Sequence, residues 1–365
     1  MTLRVAVVDP HRVSRSARLV ELLGDRFDVV APPVVPQVSR PFDVANKLTA
    51  FHRDRDTWRA RAYFNARRWQ RRTADVAEQL AELPPHDVRL HIYPITCGLP
   101  ADVPYIVTTD NTMAVTQRSF RRWASLSAAE AAAAQLREGD VLRRAAFVVA
   151  FSTQARNSMI DDYGCDPSRV VRNDGGVRIW PTEPVVRQSS QSVLFVATSF
   201  WRKGGATLLE AWRLVENRIP NARLTVAGPS HRPPNDLPRT VAWIGPQTAE
   251  QLASLYRAHD VFVLPTLFES SMPNVLREAM TFNLPVVASD VPGIALDAPD
   301  GVVLFPPEAP TELAAALIRL LEDPIGAAEV GLRLRATAVE RYSFERLADT
   351  VTELLERATG ERASQ

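Results

Sequence analysis

The sequence predicts an α/β protein built from two doubly wound domains, and three observations carry that prediction. Short apolar runs of strand type alternate with helix-forming segments along the chain, the pattern of parallel sheets wound by crossover helices. At 365 residues, 46% apolar and 23% charged, the chain has an ordinary globular composition and enough length for two cores. Residues 181–192 are polar, Pro-containing and without periodicity, as an interdomain linker is. The expected organisation is a first domain over 1–180, a linker over 181–192, a second domain over 193–342 and a closing helix over 343–365.

Leu3–Val8 is a continuous apolar strand, followed by Asp9-Pro10-His11-Arg12, an amphipathic helix over Ser14–Leu23 that stops at Gly24, and a short strand at Val29–Val30. A β-loop-α-β opening starts a doubly wound sheet, and its first loop lies at the carboxyl end of a strand, where such sheets bind ligands. His11 is therefore a candidate site residue, with simple exposure as the alternative. Between Arg53 and Arg72 stand eight arginines interleaved with Trp58, Tyr63, Phe64 and Trp69, in a segment of helical periodicity. Such a segment is either a long helix with a solvated basic face or a helix that lies on anionic lipid. No nucleic-acid motif accompanies it, so nucleic acid is not expected as a partner. His91–Ile95 and Tyr105–Thr109 read as strands, the second running into Asp110-Asn111-Thr112 at another carboxyl end. Asp110 serves there as an Asx-type turn residue or as a group for a substrate hydroxyl. An Ala-rich helix over Ser127–Arg137, the strand Phe147–Phe151, Ser152 as an N-cap and the turn 173–177 close the first half.

The second half opens with the strand Val193–Ala197, which runs through Thr198 to Arg202-Lys203-Gly204-Gly205 and into a helix over Thr207–Val215. Glycines admit close backbone approach, and a cation after a strand is placed to neutralise a diphosphate. Arg223–Ala227 and Val241–Ile244, the latter followed by Gly245, continue the sheet, and a helix over Thr248–Tyr256 follows. Chemistry then concentrates in Pro265–Asp290. The strand Val261–Leu264 ends at Pro265, and a helix over Pro273–Phe282 follows two serines, Ser270 and Ser271, that supply N-cap chemistry. First-turn amides and the positive end of the helix dipole suit an anion such as a diphosphate. Glu278, one turn in, leans back toward that end, where a carboxylate is better placed to accept from sugar or ribose hydroxyls than to face phosphate. A turn at Val291–Ile294, a strand at Gly301–Phe305 and helices over Pro310–Leu321 and about Ser343–Glu356 complete the chain.

Taken together, Tyr256–Thr266, Phe268-Glu269, Met272–Leu276, Glu278-Ala279-Met280 and Leu284–Ser289 resemble the donor-binding signature of family 4 retaining glycosyltransferases of the GT-B fold. The resemblance covers roughly Val193–Asp323 well and the first half more loosely. It implies two Rossmann-like domains facing a cleft, a closing helix that crosses back to the first domain, and transfer of a hexose from a nucleoside diphosphate sugar to a hydroxyl of a glycan, lipid or small molecule. No further cofactor and no metal are implied. Lys203 and Gly204 match the family's phosphate-holding Lys-Gly pair. The family's Arg, five residues before that Lys, is here Thr198, and Arg202 is the candidate replacement. Ser271, Met272, Pro273 and Asn274 match the donor-side helix start, Gly245 a backbone contact to the base, and Glu278 the ribose partner. The family's glutamates stand with seven residues between them, whereas eight separate Glu269 from Glu278, so Glu269 and Ser270 both remain candidates for the first position. The paired glycines that many members carry after the first strand are missing near His11. The loop at Asp110 is similar to one that faces the cleft in some GT-B enzymes.

A net charge of +1 points to no class of partner. No apolar window of about 18 residues occurs and the N-terminus lacks a signal-peptide pattern, so a cytoplasmic chain is expected, with peripheral contact to an anionic inner membrane face through Arg53–Arg72 as an option. Cys97 and Cys165 lie far apart without a CxxC pattern and are expected as reduced thiols. The departures from the family pattern keep two further readings open. One is a catalytically idle GT-B protein that binds a nucleotide sugar or a partner. The other is the same fold running phosphorylase or epimerase chemistry.

Overall fold

A computed structural model of the chain describes residues 2–9, 14–94, 99, 102–119, 126–186 and 188–363, excluding the side chains of 14–16 and 361–363. The chain forms two compact units, Met1–Gly176 with Phe344–Gln365, and Val177–Ser343.

The first unit runs β1 (Arg4–Val8), α1 (Ser14–Gly24), β2 (Asp28–Val29), α2 (Arg40–Thr49), α3 (Arg55–Phe64), α4 (Ala66–Glu82), β3 (Val88–Ile92), β4 (Tyr105–Thr109), α5 (Met113–Ser119), α6 (Ala128–Arg144), β5 (Phe147–Ala150), α7 (Thr153–Asp161) and β6 (Val170–Arg172). Its six strands are parallel in the order β2-β1-β3-β4-β5-β6. Beside α2, α5 and β6, which the sequence did not announce, three elements differ from expectation. β3 starts at Val88 and ends at Ile92, three residues earlier than expected at each end, because Arg89, which breaks the apolar run in sequence, is buried in the strand. Arg89 is satisfied through its guanidinium, which donates to His86 Nε2 (3.1 Å) and to Asp102 (3.3 Å). The single basic helix expected over 53–72 is broken at Asn65, whose Oδ1 caps the Arg68 amide (2.9 Å) while Nδ2 donates to the Arg61 carbonyl (2.9 Å). α6 continues past Arg137 to Arg144, starting from a Ser127–Glu130 capping box.

The second unit runs β7 (Ser192–Val196), α8 (Gly205–Arg218), β8 (Arg223–Ala227), β9 (Val241–Gly245), α9 (Ala249–Ala258), β10 (Val261–Leu264), α10 (Asn274–Thr281), β11 (Val286–Ser289), α11 (Pro292–Ala295), β12 (Val303–Phe305), α12 (Pro310–Glu322) and α13 (Pro324–Arg341). The strand order is β12-β11-β10-β7-β8-β9, again all parallel. Successive strands step one way from β7 and the other way from β10, so the β7/β10 pair is the point where the winding reverses. Ligands of open α/β sheets bind outside the carboxyl ends at such a point. The segment 181–192 is part of this unit rather than a free linker. The Arg335 guanidinium donates to the Pro181 and Thr182 carbonyls (3.3 and 3.1 Å), Asn283 exchanges bonds with Val185 (2.7 and 3.1 Å), and Asp260 accepts from the Ser190 and Ser192 amides (2.9 Å each).

The last helix, α14 (Phe344–Ala363), packs in the first unit against α1 and the strands β3, β4 and β5. Phe344, Leu347, Val351, Leu354 and Leu355 are buried in that core. Gly176 makes room for it, since a Cβ there would sit 2.4 Å from the Phe344 ring. Among the described residues no helix is long and apolar enough to cross a membrane.

Candidate functional site

The loops after β7 and β10 meet at the reversal point of the second sheet. The first loop folds back on itself, the Lys203 amide donating to the Ser199 carbonyl (3.0 Å) and the Gly205 amide to Phe200 (2.9 Å). It is clasped to the second loop by the Leu267 amide, which donates to the Arg202 carbonyl (3.1 Å). Gly204 makes this approach possible: its φ is +74°, and a Cβ would lie 1.6 Å from the Pro265 carbonyl oxygen. From the other side, α11 presses against the second loop, with the place of a Gly293 Cβ 2.1 Å from the Glu269 carbonyl oxygen. Main chain therefore touches main chain on both flanks of the Lys203 and Glu269 region.

Between those contacts lies a buried ion pair. The Lys203 ammonium donates to Glu269 Oε1, which also accepts from the Thr266 hydroxyl (2.7 Å) and lies 3.7 Å from the Arg202 guanidinium. The Lys203 and Glu269 side chains are each 11% exposed. Burial pulls the Lys203 ammonium below its ordinary pKa, and the Glu269 charge opposes that shift. Arg202 also donates to the Phe268 carbonyl (3.4 Å), so both cations are aimed at the start of the second loop. Thr198, at the end of β7, is exposed, and Ser270 and Ser271 are half-buried.

α10 begins one residue later than expected, with Pro273 as N-cap and no side-chain cap from either serine. The Leu276 and Arg277 amides donate to the Pro273 carbonyl (3.1 and 3.2 Å), so that part of the first turn is spent inside the helix. Met272 is buried, its sulfur accepting from the Tyr342 hydroxyl (3.4 Å). Asn274 Oδ1 accepts from Arg277 (2.5 Å). Glu278 is 4% exposed and accepts from the Tyr256 hydroxyl (3.1 Å). Burial and the Glu278 carboxylate together push the Tyr256 phenol well above its ordinary range, so it stays a donor. Gly245 lies further along the same edge, at φ +69°, with its carbonyl accepting from the Gly228 amide (2.6 Å).

The structure thus brings Lys203, Arg202, Gly204, Glu269 and Ser270 together on adjacent loops, with Ser271–Asn274 and Glu278 on the continuing helix. Sequence reasoning counted Tyr256 and Thr266 in the donor signature without giving either a role, and missed Gly293. Thr266 and Tyr256 pass for core residues in sequence, and a lone Gly after a Pro reads only as a turn.

In the first unit, Asp110 is half-buried at the end of β4. Its neighbours form a local turn: Thr109 Oγ1 donates to the Asn111 carbonyl (2.9 Å), and the Asn111 amide group donates to Thr116 (2.6 Å). His11 lies outside the described residues, as does Cys97.

The sequence profile described as Glycosyl transferases group 1 matches residues 190–323. Two D-inositol 3-phosphate glycosyltransferases are similar to this chain. That of Rhodococcus erythropolis (strain PR4 / NBRC 100887) is 29% identical over 283 residues, covering 70% of this chain and 63% of that protein. That of Kineococcus radiotolerans is 29% identical over 306 residues, covering 72% and 68%. The chain therefore spans about two thirds of the length of the curated relatives it matches. Among solved structures, sucrose-phosphate synthase from Thermosynechococcus elongatus superposes with a TM-score of 0.72 at 17% identity, covering 98% of this chain and all of that one. Anabaena Alr3699/HepE in complex with UDP gives 0.66 at 14% identity, covering 98% and 100%. Residues 190–323 thus match a group 1 glycosyl transferase domain, the chain is similar to glycosyltransferases over about 70% of its length, and its two parallel six-stranded sheets have the GT-B fold of these solved neighbours.

Proposed function

We propose that the protein moves a hexose from a nucleoside diphosphate sugar to an acceptor hydroxyl with retention at the anomeric carbon. The observation that carries this reading is the pair of cations, Lys203 and Arg202, held at the reversal point of the second sheet beside the loop that leads into α10. As the glycosidic bond breaks, negative charge grows on the leaving phosphate, and preorganised cations accelerate the step only if they meet that charge as it develops. Lys203 takes the central role, and Arg202 stands in for the arginine that Thr198 does not provide. Glu269 holds the ammonium in place before the donor arrives, and its carboxylate is engaged with Thr266 and Lys203. That engagement favours Ser270 as the group nearer the sugar. Glu278, steadied by Tyr256, receives ribose hydroxyls. Gly245 and the main chain of Met272, with Ser271, Pro273 and Asn274, line the nucleotide. On the acceptor side the candidates are His11 and Asp110.

UDP-sugars are the first donors to try, because the HepE neighbour was solved with UDP and with UDP-glucose. D-inositol 3-phosphate, from the relatives' names, is the first acceptor. Donor consumption is followed with and without acceptor, and the anomeric configuration of the product is read by NMR. Acceptor-dependent consumption with a retained product supports the reading. Consumption at the same rate without acceptor, or an inverted product, contradicts it.

A further inference from the structure

Charge is laid out unevenly along this chain. Residues 40–72 hold ten cations and three carboxylates, a formal +7, in a protein whose whole sum is +1. Part of that excess is structural: Arg72 is buried 4.7 Å from the Tyr63 ring centroid, Arg68 pairs with Asp43 (2.8 Å) and Arg61 with Glu130 (2.9 Å). Arg40, Lys47, Arg53, Arg55 and Arg59 face solvent.

The same surface carries apolar side chains that are more than half exposed. On and just past α2, Val44 is 57% exposed, Leu48 69% and Phe51 63%. Val44 and Leu48, four residues apart, share one face of α2 with Arg40 and Lys47, and Phe51 follows just past the helix end. The stripe is held in place. Phe51 meets Trp58 edge-on at 5.8 Å, and the Trp58 indole N–H donates to the Lys47 carbonyl (2.7 Å). From the opposite side of α2, buried Asn46 donates to the Ala62 carbonyl (2.8 Å), which fixes the helix rotation on α3.

Exposed apolar residues normally scatter singly, and three clustered beside cations suit a partner that is both apolar and anionic. We propose that this face of α2 docks on an anionic lipid bilayer, with Val44, Leu48 and Phe51 entering the headgroup–acyl boundary and the surrounding cations meeting lipid phosphates. A nucleic acid would meet the cations but would leave the apolar stripe in water. A second copy of the chain would set two net-positive faces against each other. An anionic bilayer satisfies both halves of the surface. The proposal stands independently of the transfer reaction.

The test is flotation of the full chain with vesicles of phosphatidylcholine alone, or of equal parts phosphatidylcholine and phosphatidylglycerol. Binding is expected to the mixed vesicles only and to weaken as salt rises. Leu48→Asp with Phe51→Asp should lower partitioning roughly tenfold or more with a fall of at most a few degrees in melting temperature, from the lost Phe51–Trp58 contact, and Leu48→Asp alone should lower partitioning at an unchanged melting temperature. Arg53→Glu with Arg55→Glu should lower it by a similar factor and flatten the salt dependence. Absence of binding to mixed vesicles at low salt overturns the proposal. So does binding that the Leu48/Phe51 variant leaves intact, the behaviour of a purely electrostatic surface such as one for nucleic acid. A concentration-dependent dimer that the same variant abolishes would reassign the stripe to a second copy.

Discussion

The two sheets reverse their winding at corresponding places, β7/β10 in the second unit and β1/β3 in the first, but the surroundings differ. At β7/β10 the loops are welded by main-chain contacts at Gly204 and Gly293 and contain a buried ion pair. At β1/β3 the described residues offer buried Asp9, whose amide donates to the Val34 carbonyl (2.9 Å), and Tyr93 in a left-handed conformation at φ +69°. Topology thus indicates where each sheet can bind, while the packing at the strand ends decides how rigidly a ligand group is held there. A phosphate-facing cation needs that rigidity, because its contribution to catalysis depends on being in place before charge develops.

The largest effect should come from breaking the rigid side directly. Gly204→Ala places a Cβ into the Pro265 carbonyl and should cost at least about 3 kcal/mol, read as a fall in melting temperature or loss of soluble protein. The matched change in the first unit, Gly164→Ala, has the same sign of φ (+65°) but open space around it, and should cost only about 1 kcal/mol. Equal costs would remove the contrast.

Next comes the ion pair. Lys203→Met leaves Glu269 buried without its ammonium, which should cost about 3–5 kcal/mol in stability and about 10²–10³ in turnover. Adding Glu269→Gln should restore most of the stability and none of the turnover. Steady-state kinetics and thermal melts on the single and double variants separate the two roles.

The smallest effect belongs to the first unit and is a pH dependence. Glu138 is buried, accepts from the Met113 amide (2.8 Å) and from the Tyr163 hydroxyl, and burial raises its pKa from 4.5 to about 7. A carboxyl raised in the folded state adds stability that is fully present below pH 4.5 and is lost as pH rises through about 7, worth about 3 kcal/mol at most. His91 works the other way: burial pushes it down to about 3, so the fold loses stability as pH falls below 6.5. Glu138→Gln should therefore flatten the loss between about pH 4.5 and 7 and leave the His91 acid limb unchanged, as read from melting temperature against pH.

Most of the second unit was legible because its signals are local. An apolar strand, a cation, glycines and a helix follow one another, and each constrains the next. The closing helix also announces itself by its period. What stayed hidden depends on partners distant in sequence. The eight-residue spacing leaves Glu269 ambiguous until Thr266 and Lys203 are seen on it, and Gly293 is 24 residues from the loop it supports. In the first unit, the break at Asn65 follows from its bonds to Arg61 and to Asn46 (2.8 Å), and periodicity alone cannot reveal that break. Buried Arg89 masks the start of β3 for the same reason, since a polar residue in a strand reads as exposed until its surroundings are known.

The central claim is that the β7/β10 reversal point binds a nucleoside diphosphate. The most direct test is the melting temperature of the full chain with UDP, GDP and ADP, in the natural sequence and in Glu278→Gln, which keeps an acceptor for the Tyr256 hydroxyl. At about one hundred times its dissociation constant a ligand stabilises the state it binds by about 2.7 kcal/mol, a shift of a few degrees. The account predicts such a shift with one nucleotide and a shift roughly halved in the variant, as a tenfold weaker site requires. No shift with any of the three, or an equal shift in both proteins, would contradict it.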